Sequence, residues 1–332
     1  MRNSNANLSL PLDPDVLCVG IDENGLGPRL GPLIVTAIAA RTSAAHDELG
    51  LRTPTGASGS RIGDSKKLVS FRDSDLGEAW GRVLNARAKL QPPRTPDELV
   101  STLSIDARAV LEKPCPNAHR AQCWGTDTEA FTSDPRRIVA LENDARELEQ
   151  RGIDLLGAHV AIICTERLNE GAKRGVSRFE MDLHAMERLL LHARARYGAE
   201  VDAVCGKVGG YNSYPNAFGP LAGTLTTVLE EGRARSAYRV AGLGRVAFVR
   251  DADGSHLLVA LASLVGKWVR DFLMRRVTRY HRAVDPTLPE VSGYHDPNTA
   301  RFVASTALAR KERGLPNECF ERASRATPNQ RK

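Results

Sequence analysis

Two adjacent acidic residues, Asp22 and Glu23, follow a short apolar run over 16–21 and stand directly before a glycine-rich turn. A third acid, Asp253, follows another apolar run at 246–249 and precedes a long helical pattern. Carboxylates brought together from separate strand ends are hard oxygen ligands that suit Mg²⁺ or Mn²⁺. A pair of such ions activates water and stabilises the leaving oxygen in phosphodiester cleavage. The three acids are therefore candidate catalytic residues and metal ligands.

An alternative interpretation of these acids needs no metal. Asp is a preferred N-cap residue, so Asp253 can simply begin its helix, and Asp22 and Glu23 can be ordinary turn acids. Against this, two acids so close together repel each other unless a cation or protons neutralise them. The residue types alone leave both interpretations open.

The turn that follows the first two acids has a specific sequence. Residues 20–28 read Gly-Ile-Asp-Glu-Asn-Gly-Leu-Gly-Pro, and a second Gly-Pro pair stands at 31–32. The segment resembles the signature of the ribonuclease HII family, in which Asp-Glu is followed by Gly-Arg-Gly-Pro and then by Gly-Pro.

Three further segments resemble motifs of the same family, in the same order along the chain. Residues 64–68, Asp-Ser-Lys-Lys-Leu, resemble its second motif, and the spacing from Asp253 to the pair at 270–271 matches its helix motif. Residues 292–294, Ser-Gly-Tyr, resemble the Gly-Tyr segment that follows that helix. The four motifs span most of the chain, so the resemblance implies a ribonuclease H-like fold.

The resemblance also implies a role for each matching residue. Asp22, Glu23 and Asp253 would hold Mg²⁺ or Mn²⁺, and the backbone of the glycine turn would read the ribose 2′-hydroxyl that distinguishes RNA from DNA. The lysines would meet phosphates, although any one of them can equally be a solvated surface charge. The predicted substrate-binding residues are Gly25, Gly27, Arg29, Ser65, Lys66, Lys67, Lys267 and Tyr294, the last of which would stack on a sugar.

One departure from the family pattern lies in the glycine turn. Leu26 stands where the family has an arginine, and no leucine replaces a fork-shaped guanidinium. Backbone reading by Gly25 and Gly27 can survive this change, and Arg29 could reach a phosphate instead.

A second departure concerns a fourth carboxylate, which the family places at the end of the strand predicted at 201–204. The chain reads Cys205-Gly206-Lys207 there, so the acid is absent. Asp202 lies three positions early, on the opposite strand face from Cys205. Asp251 is the candidate substitute, as a further metal ligand.

Composition favours a globular protein with a polyanionic partner. The 332 residues carry 46 Lys+Arg against 40 Asp+Glu, a net charge of +6 and a pI of about 9.1. No stretch approaches the roughly 20 apolar residues of a membrane span, and residues 1–14 lack the apolar core of a signal peptide. We therefore expect a cytoplasmic protein with no membrane partner.

The six cysteines are too few and too scattered for a disulfide framework, so most are expected to be reduced. The run from Cys115 to Cys123 includes His119 but matches no standard zinc-finger spacing. A fourth ligand is not evident, so a structural metal is not favoured there.

Apolar runs and helical patterns alternate along the chain, which predicts an α/β fold with one mixed sheet flanked by helices and a C-terminal helical extension. One strand is predicted at 160–164, and the long helix is predicted from 255 to about 277. The expected divisions are an N-terminal tail (1–15), a catalytic domain (16–275) with an insertion at about 113–160, a helical extension (276–322) and a disordered tail (323–332).

The hypothesis that follows is a metal-dependent endoribonuclease of ribonuclease HII type, acting on RNA/DNA hybrids or on ribonucleotides embedded in duplex DNA. Two alternatives stay open. The first is a binding protein in which Leu26 and the missing acid have removed catalysis. The second is a nuclease with an altered substrate, either DNA or structured RNA.

Overall fold

One seven-stranded mixed sheet organises the computed structural model, which describes residues 16–42, 51–53, 61–71, 74–116, 120–198, 200–208 and 211–323. The strands are β1 (Val16–Asn24), β2 (Leu33–Thr42), β3 (Ile153–Ile163), β4 (Val201–Gly206), β5 (Thr226–Glu231), β6 (Arg235–Val240) and β7 (Gly244–Val249). Their order across the sheet is β3-β2-β1-β4-β7-β6-β5. β1, β4 and β7 are parallel, and the neighbours on both sides pair antiparallel.

Helices cover both faces of this sheet. They are α1 (Ser65–Leu68), α2 (Asp75–Arg87), α3 (Pro96–Leu103), α4 (Arg108–Glu112), α5 (Arg120–Trp124), α6 (Pro135–Gln150), α7 (Thr165–Lys173), α8 (Arg178–Tyr197), α9 (Leu257–Arg282), α10 (Pro297–Ser305), α11 (Ala307–Glu312) and α12 (Asn317–Phe320). Short 3₁₀ turns lie at Pro215–Ala217 and Ala252–Gly254.

The two sides of β1 face different helices because successive side chains of a strand point to opposite faces. Leu17, Val19 and Ile21 belong to the apolar cluster that includes α8, whereas Cys18 belongs to the cluster that includes α9. A strand buried on both faces reads as a continuous apolar run, which is what the sequence shows at 16–21. By the same alternation, the side chain of Asp22 leaves the strand on the α9 side and that of Glu23 leaves it on the α8 side.

The parallel strands bring distant parts of the chain to one edge of the sheet. The carboxyl ends of β1, β4 and β7 meet there, since Ile21 pairs with Cys205 and Gly206 pairs with Val249. The acids after β1, the glycine that ends β4 and the turn after β7 that carries Asp253 are therefore neighbours.

The helix α9 crosses β1 at Gly20, where the two backbones approach too closely for a side chain. A Cβ at this position would collide with the backbone and Cβ of Leu258. We expect Gly20→Ala to lower the free energy of unfolding by ~3 kcal/mol, because neither the strand nor the buried helix can move aside. Gly254→Ala is the control, since its Cβ would meet nothing, and chemical denaturation of both variants checks the difference.

The predicted fold class is confirmed: a mixed sheet lies between helices, and helices follow it at the C-terminal end. The strand predicted at 160–164 is longer, however, and begins at Ile153, inside the segment assigned to an insertion. A β-bulge opposite Ala39 and Ala40 breaks the alternation of side chains in its first half, which hides that half from a periodicity argument.

The long helix also extends beyond the prediction. It continues to Arg282, so the boundary proposed between residues 275 and 276 falls inside a continuous helix. Its last turns supply Met274 and Val277 to an apolar cluster with Phe302 and Phe320 of the C-terminal helices. The helical extension thus packs directly on α9. The predicted N-terminal tail and residues 324–332 lie outside the described residues.

Candidate active site

An open cleft of about 300 Å³ lies at the sheet edge where β1, β4 and β7 end. It lies between the glycine turn after β1, the 3₁₀ turn after β7 and the first half of α9. Its lining includes Asp22, Glu23, Gly25, Leu26, Gly27, Ser65, Lys66, Gly206, Lys207, Asp251, Asp253, Ser263, Lys267, Arg270, Asp271 and Tyr294. Most of the residues predicted from the four motifs are thereby brought to one place.

Asp22 and Glu23 converge on the space beside Gly206. A Cβ built on Gly206 would lie 3.0 Å from Asp22 Oδ1 and 3.4 Å from Glu23 Oε2, so both carboxylates flank one point. Burial, followed by the neighbouring Glu23 charge, raises the pKa of Asp22 well above its usual range. Burial, followed by the charge of Asp182, raises the pKa of Glu23 to about 8. Without a cation, holding these two carboxylates together lowers the stability of the folded protein.

Asp253 and Lys66 complete the floor and rim of the cleft. Lys66 Nζ lies 3.6 Å from Asp253 Oδ2, while the lysine side chain remains 83% exposed. An exposed ion pair of this length contributes little stability, so the lysine is free to exchange its carboxylate partner for an incoming phosphate. Asp253 does not cap α9, whose N-cap is His256. This observation removes the helix-cap explanation for Asp253.

Ser65 lies at the buried base of the cleft, next to α9. Its hydroxyl is buried and lies 2.8 Å from Ser263 Oγ, and Ser263 in turn hydrogen-bonds Asp22. The residue predicted to touch substrate therefore supports the orientation of Asp22 through α9. The serine is short and packed against the helix, which explains why it reaches inward.

A charged network on α9 forms the wall opposite Lys66. Lys267 donates to Asp271 at 2.9 Å, and Arg270 bonds the same carboxylate at 3.2 Å and the Ser292 carbonyl at 2.8 Å. The guanidinium of Arg270 lies under the Tyr294 ring, 4.7 Å from its centroid. Tyr294 is 46% exposed, so its outer face is open to a ligand.

Three predicted or considered residues lie outside the cleft, and a fourth lies exposed at its rim. Arg29 forms an ion pair with Glu321 at 2.6 Å, so it is held by the C-terminal segment. Lys67 points away from the cleft toward Asp64 at 3.8 Å. Asp251 lies at the rim with its side chain 89% exposed, beside Arg250. Asp202 is held by two 2.8 Å contacts with Arg245 and does not approach the acids.

Arg322 holds the glycine turn and was not anticipated. Its buried guanidinium donates to the carbonyls of Gly25 at 2.6 Å and Gly31 at 2.8 Å, and its backbone N–H donates to the Arg29 carbonyl at 3.0 Å. A guanidinium from the C-terminal segment thus supports the turn in which Leu26 replaces the arginine of the ribonuclease HII signature. No local pattern in the sequence connects residues so far apart.

Asp182 on α8 is the second unanticipated residue. It is fully buried, and its charge is the strongest acting on Glu23. A signal was available in the sequence, because Asp182 lies in one helical stripe with Phe179, Leu183 and Met186 and so occupies a core position, as Glu187 in the next turn also does.

The donor set at the cleft suits a hard divalent cation. Two carboxylates flank one point and a third lies nearby, and oxygen donors of this kind are those that Mg²⁺ and Mn²⁺ prefer. Within the described ranges, no three His, Cys, Asp or Glu side chains are already gathered around a single ion position. The residues therefore fit such an ion by chemistry.

The acid pair makes stability depend on pH in a predictable direction. A carboxyl whose pKa is about 8 when folded and near 4.5 when unfolded binds more protons in the folded state between those values. Stability therefore falls as pH rises through this window, by about 1.4 kcal/mol per pH unit for each extra proton. Asp22 acts in the same direction, because its pKa is also raised.

Buried histidines oppose this trend only at lower pH. Burial lowers the pKa of His159 to about 3 and that of both His256 and His281 to about 4, so each stabilises the fold as pH rises toward 6.5. Between pH 6.5 and 8, the raised pKa values of the two acids dominate among the described residues. We expect the melting temperature of the metal-free protein to fall between pH 6.5 and 8, and Mn²⁺ to remove most of this fall. A flat metal-free profile would contradict the prediction.

All six cysteines are free thiols, and Cys115 and Cys123 are half-buried. His119, which lies between them, is outside the described residues. In the part of the chain that the structure describes, no helix is long and apolar enough to cross a membrane.

No protein-family model and no curated protein matches the chain. Among solved structures, it is similar to ribonuclease HII in a PCNA complex from Archaeoglobus fulgidus, with 17% identity, a TM-score of 0.41 and coverage of 95% of this chain and 98% of that chain. It is also similar to Bst-RNase HIII in complex with Mn²⁺ (17% identity, TM-score 0.44, coverage 94% and 67%). A third similar structure is ribonuclease H2 from Pyrococcus horikoshii OT3 (12% identity, TM-score 0.37, coverage 92% of both chains).

Proposed function

We propose that this protein is a divalent-cation-dependent endonuclease of ribonuclease HII type, which cleaves the RNA strand of RNA/DNA duplexes or a ribonucleotide embedded in duplex DNA. The observation that carries the proposal is the convergence of Asp22 and Glu23 beside Gly206, in a cleft that also contains Asp253 and Lys66. A bound Mg²⁺ or Mn²⁺ would supply Lewis acidity toward the phosphodiester and lower the pKa of water.

The protein's own residues then bind and orient the duplex. The exposed ammonium of Lys66 meets a backbone phosphate, and the open face of Tyr294 stacks on a sugar next to the cleavage point. Gly27 is free of neighbours around its would-be Cβ, so the backbone of the turn can approach a ribose 2′-hydroxyl closely. Arg322 donates to the Gly25 carbonyl of that turn, and the Arg270 side chain packs against Gly25.

A second candidate function is nucleic-acid binding without cleavage. The observation that favours it is that the residue beside which Asp22 and Glu23 converge is a glycine, Gly206, which adds no carboxylate to the cleft. With fewer carboxylates, the cleft would bind ions weakly while its lysines still bind a duplex.

Cleavage of matched duplexes separates these functions. The full chain is incubated with an RNA/DNA hybrid, a DNA duplex with one ribonucleotide, and an all-DNA duplex, each with Mg²⁺, Mn²⁺ or a chelator. We expect cleavage of the two ribonucleotide-containing substrates with either ion, leaving 3′-hydroxyl and 5′-phosphate ends, and none with the chelator. Salt-sensitive binding without cleavage would support the second candidate, and cleavage of the all-DNA duplex would show altered selectivity.

A further inference from the structure

Asp182 is a buried acid without a partner. It lies in the second turn of α8, its side chain is inaccessible to solvent, and neither carboxylate oxygen has a hydrogen-bond partner. Among the described acids, it alone has both oxygens shielded from solvent and unbonded. Leaving a buried carboxylate unpaired is strongly unfavourable, so a group in this state calls for a compensating positive charge or a proton.

Other buried acids of the described chain show the usual solution. Glu187, on the same helix, accepts hydrogen bonds from the backbone N–H groups of Gly219 and Leu221. Asp144 forms two 2.6 Å contacts with Arg61. These residues stabilise loops or helices, whereas Asp182 has no such structural task.

The position of Asp182 connects it to the cleft. Glu23 starts on the α8 side of β1, and Asp182 lies between Phe179 and Leu183, which belong to the same apolar cluster as Ile21 near the end of that strand. The charge of Asp182 raises the pKa of Glu23. The Glu23 carboxylate then bends toward Gly206, where it lies beside Asp22. Glu23 therefore has Asp182 behind it and the open cleft in front of it.

We propose that Asp182 is a positioning residue of the cation site which, from helix α8 and without touching the ion, compensates for the missing acid at position 206. The inference rests on the proposed function, because it requires a divalent cation at Asp22 and Glu23. Asp182 does not line the cleft and acts as a positioning residue. In its ionised form, Asp182 would balance the cation through Glu23 and raise the affinity of the site.

The test is Mn²⁺ binding by the full-length protein, measured by calorimetry and by the loss of the free-ion electron paramagnetic resonance signal. Asp182→Asn keeps the side-chain shape and removes the charge, and we expect it to weaken Mn²⁺ binding ~10- to 100-fold. Glu187→Gln is the matched control, a buried acid on the same helix, and should bind Mn²⁺ as the wild type does. Adding Gly206→Asp to Asp182→Asn should restore most of the lost affinity.

Each outcome decides one proposal. Equal Mn²⁺ affinity in Asp182→Asn and the wild type overturns the role of Asp182 and leaves the proposed function intact. A wild-type protein that binds no Mn²⁺ overturns the proposed function itself. If the asparagine variant does not fold, Asp182→Ala replaces it, because alanine removes the unpaired oxygens and is a strong helix former. Wild-type affinity in the alanine variant overturns the role equally.

Discussion

Replacing Asp22 with asparagine should lower the cleavage rate by ~1,000-fold or more and, at the same time, make the metal-free protein more stable. Cleavage falls because one of the two carboxylates that flank the ion position is lost. Stability rises because Asp22 is buried beside Glu23, and removing its charge relieves both desolvation and repulsion. A gain of ~2 kcal/mol would raise the melting temperature by several degrees.

Opposite signs in the two measurements distinguish an active-site acid from a structural one. Asp202→Asn is the control, since that acid pairs with Arg245 away from the cleft and should leave cleavage unchanged. Single-turnover cleavage and thermal melting at pH 7.5 without metal give the two values. Retained cleavage by Asp22→Asn, or loss of stability together with activity, would contradict the assignment.

Placing aspartate at position 206 should strengthen the site. The backbone there does not require glycine, because φ of Gly206 is not positive. A Cβ added at this position would point between Asp22 and Glu23. We expect Gly206→Asp to raise Mn²⁺ affinity and the cleavage rate by ~10-fold, because a further carboxylate joins the same point. The metal-free variant should be ~2 kcal/mol less stable, because the new group crowds and repels two carboxylates.

The adjacent position supplies a matched control for this gain. Cys205 is fully buried on the α8 side, in the apolar cluster with Ile21 and Leu183. Cys205→Asp therefore places a carboxylate in the core, where we expect a loss of several kcal/mol and no gain in affinity. Equal behaviour of the two variants, or no gain from Gly206→Asp in either measurement, would show that the acids do not form a common cation site.

The sequence predicted the parts of the site that are local in the chain. The Asp22-Glu23 turn, the Ser65-Lys66 segment and the helix motif are short and contiguous, and a parallel sheet brings strand ends together once the strands are assigned. Secondary structure was harder to predict where the pattern is interrupted, as in β3, where a bulge shifts the alternation of side chains.

Residues that act on the site from distant parts of the chain could not be predicted from the motifs. The missing acid at Gly206 directed attention to Asp202, which is close to it in sequence, and to Asp251, which is close to Asp253. Asp202 pairs with Arg245, and Asp251 lies exposed at the rim of the cleft beside Arg250. Arg322 reaches the glycine turn from the C-terminal segment, and Asp182 is buried on helix α8, where its charge acts on Glu23. Only Asp182 could have been singled out beforehand, because it is an acid, like Glu187, on the apolar face of a helix.

The most direct measurement of the central claim is anomalous scattering from crystals of the wild-type protein soaked in Mn²⁺. The account predicts a Mn²⁺ peak between the carboxylates of Asp22 and Glu23, next to Gly206, with Asp253 released from Lys66. Absence of Mn²⁺ from this cleft, at concentrations that support cleavage in solution, would contradict the account.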